Sequence, residues 1–201
     1  MIPYTEVKNL DVWKDWLKNW VNSGQYYIDI SNELDNAYTY VKSALGDPKA
    51  SVVFDMDETM ISEYQLMLKY DFGWTEQAID EAQITTNFPA IKPVQDFYNY
   101  CLDNGINVFI LTSKRQKYLS YVSAELDYAD YKLPTQLILR PNDDTGTIAD
   151  FKAKMRKDLI EVQGYRIVCN VGDQPSDFYK GYAEHDIIIP NKFYDISIEI
   201  I

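Results

Sequence analysis

From residue 50 onward the chain alternates short apolar runs with longer amphipathic stretches, and few architectures accept that rhythm. The runs 50–54, 106–111, 136–139, 166–171 and 186–189 are rich in β-branched and aliphatic residues, as expected of strands buried on both faces. Between them the spacing predicts helices over 93–104, 116–126 and 148–163, with Gly105 and Gly164 placed as caps. Strands that alternate with helices join through right-handed crossovers, so the expected class is α/β: a parallel sheet of about five strands covered on both faces. Ligands of such sheets collect beyond the carboxyl ends of the strands. Residues that follow a strand are therefore the first candidates for chemistry.

With 201 residues, 46% of them hydrophobic, the chain suits a single domain over 1–201 with a substantial core. Segment 1–46 reads as a helical hairpin. Leu10, Trp13, Leu17, Trp20 and Val21 recur at helical spacing within 5–21, and Ser23-Gly24 ends that run. Ile30, Leu34, Ala37, Tyr38, Val41 and Leu45 mark a second helix, closed by Gly46 before Asp47-Pro48. Trp13, Trp16 and Trp20 are expected to pack in the core. Residues 60–92 interrupt the rhythm with a short helix near 75–83 and the aromatics Phe72, Trp74 and Phe88, which predicts a small cap or lid rather than a simple packing element. The tail, 195–201, alternates apolar and polar residues and reads as an extra strand. Cys101 and Cys169 lack CxxC spacing and read as buried free thiols, and His185, the lone histidine, as a structural residue.

A formal net charge of −12 argues against a nucleic acid polymer as partner, because that affinity comes from Lys and Arg neutralising many phosphates. It leaves room for a small phosphorylated ligand held by a local cation. No window approaches the run of about 18 apolar residues that a transmembrane segment needs. Nor do residues 1–12 carry the apolar core of a secretory signal, although a chain from which a signal had been removed would read the same.

The most informative stretch is Asp55-Met56-Asp57-Glu58-Thr59, which starts at the carboxyl end of the first strand. Where a strand ends and the chain turns, both carboxylates can reach one cleft. There they would repel unless a cation lay between them, and a hard ion such as magnesium prefers such oxygen donors. Asp173, in Val171-Gly172-Asp173-Gln174-Pro175-Ser176-Asp177, stands at the end of another predicted strand, with Gly172 permitting an awkward backbone. Parallel strands ending at one edge would gather Asp55, Asp57 and Asp173 into a magnesium site. Thr112 follows a third strand and can donate to a phosphoryl oxygen, and Lys152 can neutralise developing charge. Phosphoryl transfer needs mainly positioning and charge neutralisation, so a nucleophile, a metal, a hydroxyl and a cation suffice. Each residue also has a plain reading: a turn or cap for the acids, a cap for Thr112 and Ser113, a solvated face for Lys152 among Lys154, Arg156 and Lys157.

These segments together resemble the haloacid dehalogenase superfamily, in its acid phosphatase branch (subfamily IIIB), which includes class B-like bacterial and plant acid phosphatases and the vegetative storage proteins. The resemblance runs from about Trp13 to Pro190 and is carried by Val52 to Thr59, Phe109 to Thr112, Phe151-Lys152, and Gly164 to Val168 leading into Gly172 to Asp177. It implies a Rossmann-like core and a magnesium-dependent acid phosphatase working through an aspartyl-phosphate. By the same resemblance, Asp55 is the nucleophile and a metal ligand; Asp57 gives its backbone carbonyl to the metal and its side chain to proton transfer. Asp173 completes the metal site, Asp177 supports it and holds Lys152, and Thr112 and Lys152 bind the phosphoryl group. Two departures stand out. Where the family commonly has Gly-Arg after the Thr, this chain has Ser113-Lys114-Arg115, so Ser113 and Arg115 are expected at the substrate with Arg115 displaced or replaced by Lys114. Pro175 stands where an aromatic is common. The motif lysine is taken as Lys152 rather than Lys154 because Arg156 follows four residues later.

The expected substrate is a small phosphate ester, with Tyr64, Phe72 and Trp74 as candidates to stack on a nucleobase or aryl leaving group. Two rivals remain open: a storage or binding protein of the same fold, against which retention of Asp55 speaks, and a phosphoacceptor signalling domain, in which the acceptor follows the third strand rather than the first. The resemblance points to a periplasmic or secreted protein, with a cytoplasmic one also compatible, and oligomeric state is left open, a homo-oligomer included.

Overall fold

The computed structural model describes residues 9–196. Among them a helical hairpin, α1 (Leu10–Asn22) and α2 (Gln25–Ser43), precedes the first strand, β1 (Ala50–Phe54). Two short helices, α3 (Tyr64–Lys69) and α4 (Glu76–Ile84), follow it, then α5 (Lys92–Asp103), β2 (Asn107–Arg115), α6 (Leu119–Tyr128), β3 (Gln136–Arg140), α7 (Ile148–Glu161), β4 (Arg166–Gly172), α8 (Pro175–Phe178) and β5 (His185–Ile188). The strands form one sheet in the order β3-β2-β1-β4-β5, every pair parallel, as the alternation predicts.

Strand alternation divides the core. Val52 and Phe54 face a large apolar cluster that takes in the inner faces of α2 and α5, whereas Val53, Phe109, Leu111 and Ile167 pack against Phe151 and Leu159 of α7. The stripe Tyr26, Ile30, Leu34, Ala37 and Val41 of α2 is no more than 1% exposed. At roughly 1.5–3 kcal/mol for each large apolar side chain buried, this packing rather than intrinsic propensity holds α2 in place. Both cysteines are buried and free.

Several expectations differ from what forms. Only Trp20 of the three tryptophans is buried; Trp13 and Trp16 are 39% exposed and stack on each other with centroids 4.8 Å apart, covering at the surface what the core does not. Strand β2 runs on to Arg115, past the apolar run that ends at Leu111. Thr112 pairs with Leu139 and Arg115 with Arg140, so Ser113 and Lys114 bulge from the ladder. Helix α3 was not anticipated. The expected helical start at 5–8 and the expected strand from 197 onward lie outside the described residues, and residues 195–196 are not in a strand.

Candidate active site

Strands β1 and β4 are neighbours whose onward connections leave in opposite directions along the sheet, and at such a switch point the carboxyl ends leave a crevice. Asp55 stays tied to the sheet, its N–H donating to the Val171 carbonyl at 2.8 Å. Beyond it the amides of Thr59, Met60 and Ile61 all return to the Met56 carbonyl, winding the chain into a tight turn with Glu58 at φ +50°. The Thr59 hydroxyl lies 3.4 Å from Asp55 Oδ2 and 3.2 Å from Asp173 Oδ1, linking the ends of β1 and β4.

Asp177 folds back over the end of β4. Its Oδ2 accepts from the amides of Asp173 (3.1 Å) and Gln174 (2.9 Å), and its Oδ1 pairs with Lys152. A Cβ at position 172 would meet Asp177 Oδ2 at 2.5 Å. Glycine is therefore needed for space; its φ is not in the left-handed region, contrary to the expectation of an awkward backbone.

Lys152 lies on the buried face of α7 and pairs with both Asp55 and Asp177, while Lys154 is exposed. Burial opposes the Lys152 charge, but Asp177 and Asp55 outweigh it and hold its pKa above the ordinary value. Carboxylate oxygens of Asp55, Asp173 and Asp177 lie within 4.8 Å of one another. Burial, then the charge of Asp177, pushes Asp55 well above the usual carboxylate range and Asp173 up to about 6. Three hard oxygen donors that repel one another fit a small divalent cation. Asp57 is expected in the set of Asp55, Asp57 and Asp173 through its backbone carbonyl, and the side-chain carboxylate that lies with those of Asp55 and Asp173 is that of Asp177. The Asp57 side chain lines the same cleft, with its Oδ1 2.9 Å from the Lys114 ammonium.

Thr112 is fully buried, and its Oγ1 accepts the Lys114 amide at 3.1 Å, leaving its own hydrogen free to donate. Ser113 lines the cleft. Arg115 does not: its guanidinium donates to the carbonyls of Pro141, Asn142 and Asp144, so the cation turned inward from this motif is Lys114.

The cleft, about 170 Å³, has Asp55, Asp57, Lys152 and Asp173 among its polar lining, with Trp74, Ile79, Ala82 and Gln83 from one side and Tyr194 and Ile196 from the tail. The rings of Trp74 and Tyr194 stack at 5.3 Å and 15°. Tyr64 and Phe72 are elsewhere, packed around Phe193. Asn191 and Gln174 both donate to Asp173 Oδ2, at 2.8 and 2.6 Å.

Sequence reasoning missed Tyr194, Asn191, Ser176, which also lines the cleft, and the Lys114–Glu125 pair (2.9 Å). Of these only Glu125 carried a local signal: it interrupts the buried stripe of Val122 and Leu126 on α6, where an acid needs a partner.

Residues 5–197 match the model of the HAD superfamily, subfamily IIIB (Acid phosphatase). Over 205 residues the chain is 31% identical to acid phosphatase 1 of Solanum lycopersicum, covering 95% of this chain and 80% of that protein. It is 29% identical to vegetative storage protein 2 of Arabidopsis thaliana, covering 90% and 71% respectively. Its fold is similar to that of the class C acid phosphatase from Bacillus anthracis with tungstate bound: TM-score 0.73 at 20% identity, over 94% of this chain and 87% of the other.

Proposed function

This chain belongs to the acid phosphatases of HAD superfamily subfamily IIIB, and we propose that it hydrolyses small phosphate monoesters with magnesium, through an aspartyl-phosphate on Asp55. One observation carries the reading: Asp55 and Asp173 end adjacent strands beside Lys152, an arrangement that serves in-line phosphoryl transfer.

In this reading Asp55, Asp173 and Asp177 border the cation, with the Asp57 backbone carbonyl as a further donor. When bound, the ion draws charge from the phosphoryl oxygens and offsets the repulsion among the acids. Asp55 attacks phosphorus in line, and the bond to the leaving oxygen breaks as protonated Asp57 gives that oxygen its proton. Asp57, then a carboxylate, takes a proton from water; the water oxygen attacks phosphorus, releasing inorganic phosphate and Asp55. Lys152 and the Thr112 hydroxyl hold the transferring group. We read residues 60–92 as the cap, with Trp74 and Tyr194 forming an apolar wall suited to an aryl or nucleotide leaving group.

Asp55→Asn should abolish p-nitrophenyl phosphate turnover while circular dichroism and thermal melting stay unchanged. Turnover by the wild type should vanish in EDTA and return with magnesium. An active Asn variant would refute the nucleophile. A storage role, favoured by the likeness to a vegetative storage protein, predicts instead no turnover of any phosphate ester by the wild type.

A further inference from the structure

We propose that Lys114, anchored by Glu125, is a positioning residue that fixes the orientation of the Asp57 carboxylate, so that only its outer oxygen can deliver the proton to the leaving group. The inference deepens the reading above and rests on Asp57 being the leaving-group acid. Lys114 stands on the bulge of β2, 1% exposed, with its ammonium 2.9 Å from Asp57 Oδ1 and 2.9 Å from Glu125 Oε2. Asp57 Oδ1 is sealed from solvent and accepts no aligned hydrogen bond among the described residues, so charge attraction holds it toward the lysine. Yet Asp57 lines the cleft with 21% of its side chain exposed, which leaves Oδ2 as the oxygen turned to substrate.

An ammonium donates three hydrogens and accepts none. A proton on Oδ1 would face N–H, whereas on Oδ2 it faces the cleft. Lys114 is itself held at two points. Glu125 reaches the ammonium from the buried face of α6, and the Lys114 amide donates to the Thr112 hydroxyl, so the acid and the phosphate-binding hydroxyl share one rigid support. A bulge of two residues brings this about: it carries Lys114 inward and leaves Arg115 on the Pro141–Asp144 carbonyls.

A purely structural ion pair would leave the chemistry indifferent to the leaving group, and that separates the two roles. The double variant Lys114→Met/Glu125→Gln removes the Glu125 charge that Lys114→Met alone would leave buried and unpaired, and circular dichroism checks that the fold survives with Asp57 and Glu63 no longer facing an ammonium. Ethyl phosphate, whose alkoxide must be protonated, is compared with 2,4-dinitrophenyl phosphate, whose phenolate leaves unaided. For the double variant kcat/KM should fall by about 100-fold or more on the ethyl ester and by less than about 5-fold on the dinitrophenyl ester, in line with general-acid contributions of about 10² to 10⁴. Lys114→Arg should recover much of the ethyl phosphate rate, and Glu125→Gln should show a smaller loss with the same leaving-group signature. Equal losses on both esters, or none on either, overturn the proposal. Asp57→Asn is the reference. If it shows the leaving-group split and the double variant does not, this inference fails alone. If Asp57→Asn shows no split, the assignment of Asp57 as the acid fails, and this inference with it.

Discussion

Gly172 shows how closely the site is built. No side chain fits there, because Asp177 crosses 2.5 Å from where a Cβ would stand, and Asp177 in turn orders the amides of Asp173 and Gln174 and holds Lys152. Adding one methyl group must push Asp177 off the end of β4, since backbone and carboxylate cannot both stay. Gly172→Ala should cost about 1–3 kcal/mol in urea unfolding, the usual toll of overpacking, and more than about 100-fold in kcat/KM as Lys152 loses its anchor. Gly146 is the control: a Cβ there would come no closer than 3.5 Å to Asp144, so Gly146→Ala should stay within about 0.5 kcal/mol of wild type. Equal behaviour of the two alanine variants would sink the argument. The contrast also shows why part of the site was legible in sequence and part was not. Asp55 and Asp173 announce themselves because each follows an apolar run, and position at a strand end is a local property. The need for Gly172 arises from how Asp177, five residues on, folds back over the strand end, and the partnership of Asp57 with Lys114 from what another segment brings alongside; the apolar pattern encodes neither.

Among the elements the same division holds. The strands and the helices α2, α5 and α7 follow from periodicity because burial of a long stripe dictates them. Helices α3 and α8, six and four residues long, are too short to show a period, and the bulge in β2 is made of polar residues that a hydrophobic pattern passes over. Helix α4 lies between these cases. It has nine residues, is capped by Thr75, whose hydroxyl accepts the Ala78 amide at 3.2 Å, and carries Ile79, Ala82 and Gln83 to the cleft. A helix so short depends on its cap. Thr75→Ala should remove about 1 kcal/mol of local stability and loosen the apolar wall, raising KM for aryl phosphates several-fold with kcat nearly unchanged and global Tm little moved. Thr75→Ser should retain wild-type kinetics. A fall in kcat at constant KM would mean that α4 bears on the phosphoryl group rather than on the leaving group.

At the scale of the whole molecule, acids outnumber bases by 31 to 19, and several of them are buried together. Burial pushes Glu58 up to about 8 and Glu125 up to about 7, from ordinary values near 4.5, and Asp173 up to about 6 from 3.8. A carboxyl whose pKa is raised by folding binds more protons folded than unfolded. Between the two values stability therefore falls as pH rises, by roughly 1.4 kcal/mol for each pH unit and group. The acids held below their ordinary range, such as Asp29, Asp47 and Asp144, act in the opposite sense, but only at pH values below about 4. Self-repulsion of the net negative chain adds to the loss at higher pH. The metal-free protein should therefore melt higher at pH 5 than at pH 8, with the decline spread over that interval. Magnesium binds only deprotonated carboxylates, so its stabilisation should be small at pH 5 and larger at pH 8, closing part of the gap. Thermal melts in EDTA and in excess magnesium at each pH test both halves. A Tm that is level or rising from pH 5 to 8 in EDTA would show that these acids are ionised in the folded chain, and that the charge they carry is neutralised by something other than protons or the cation.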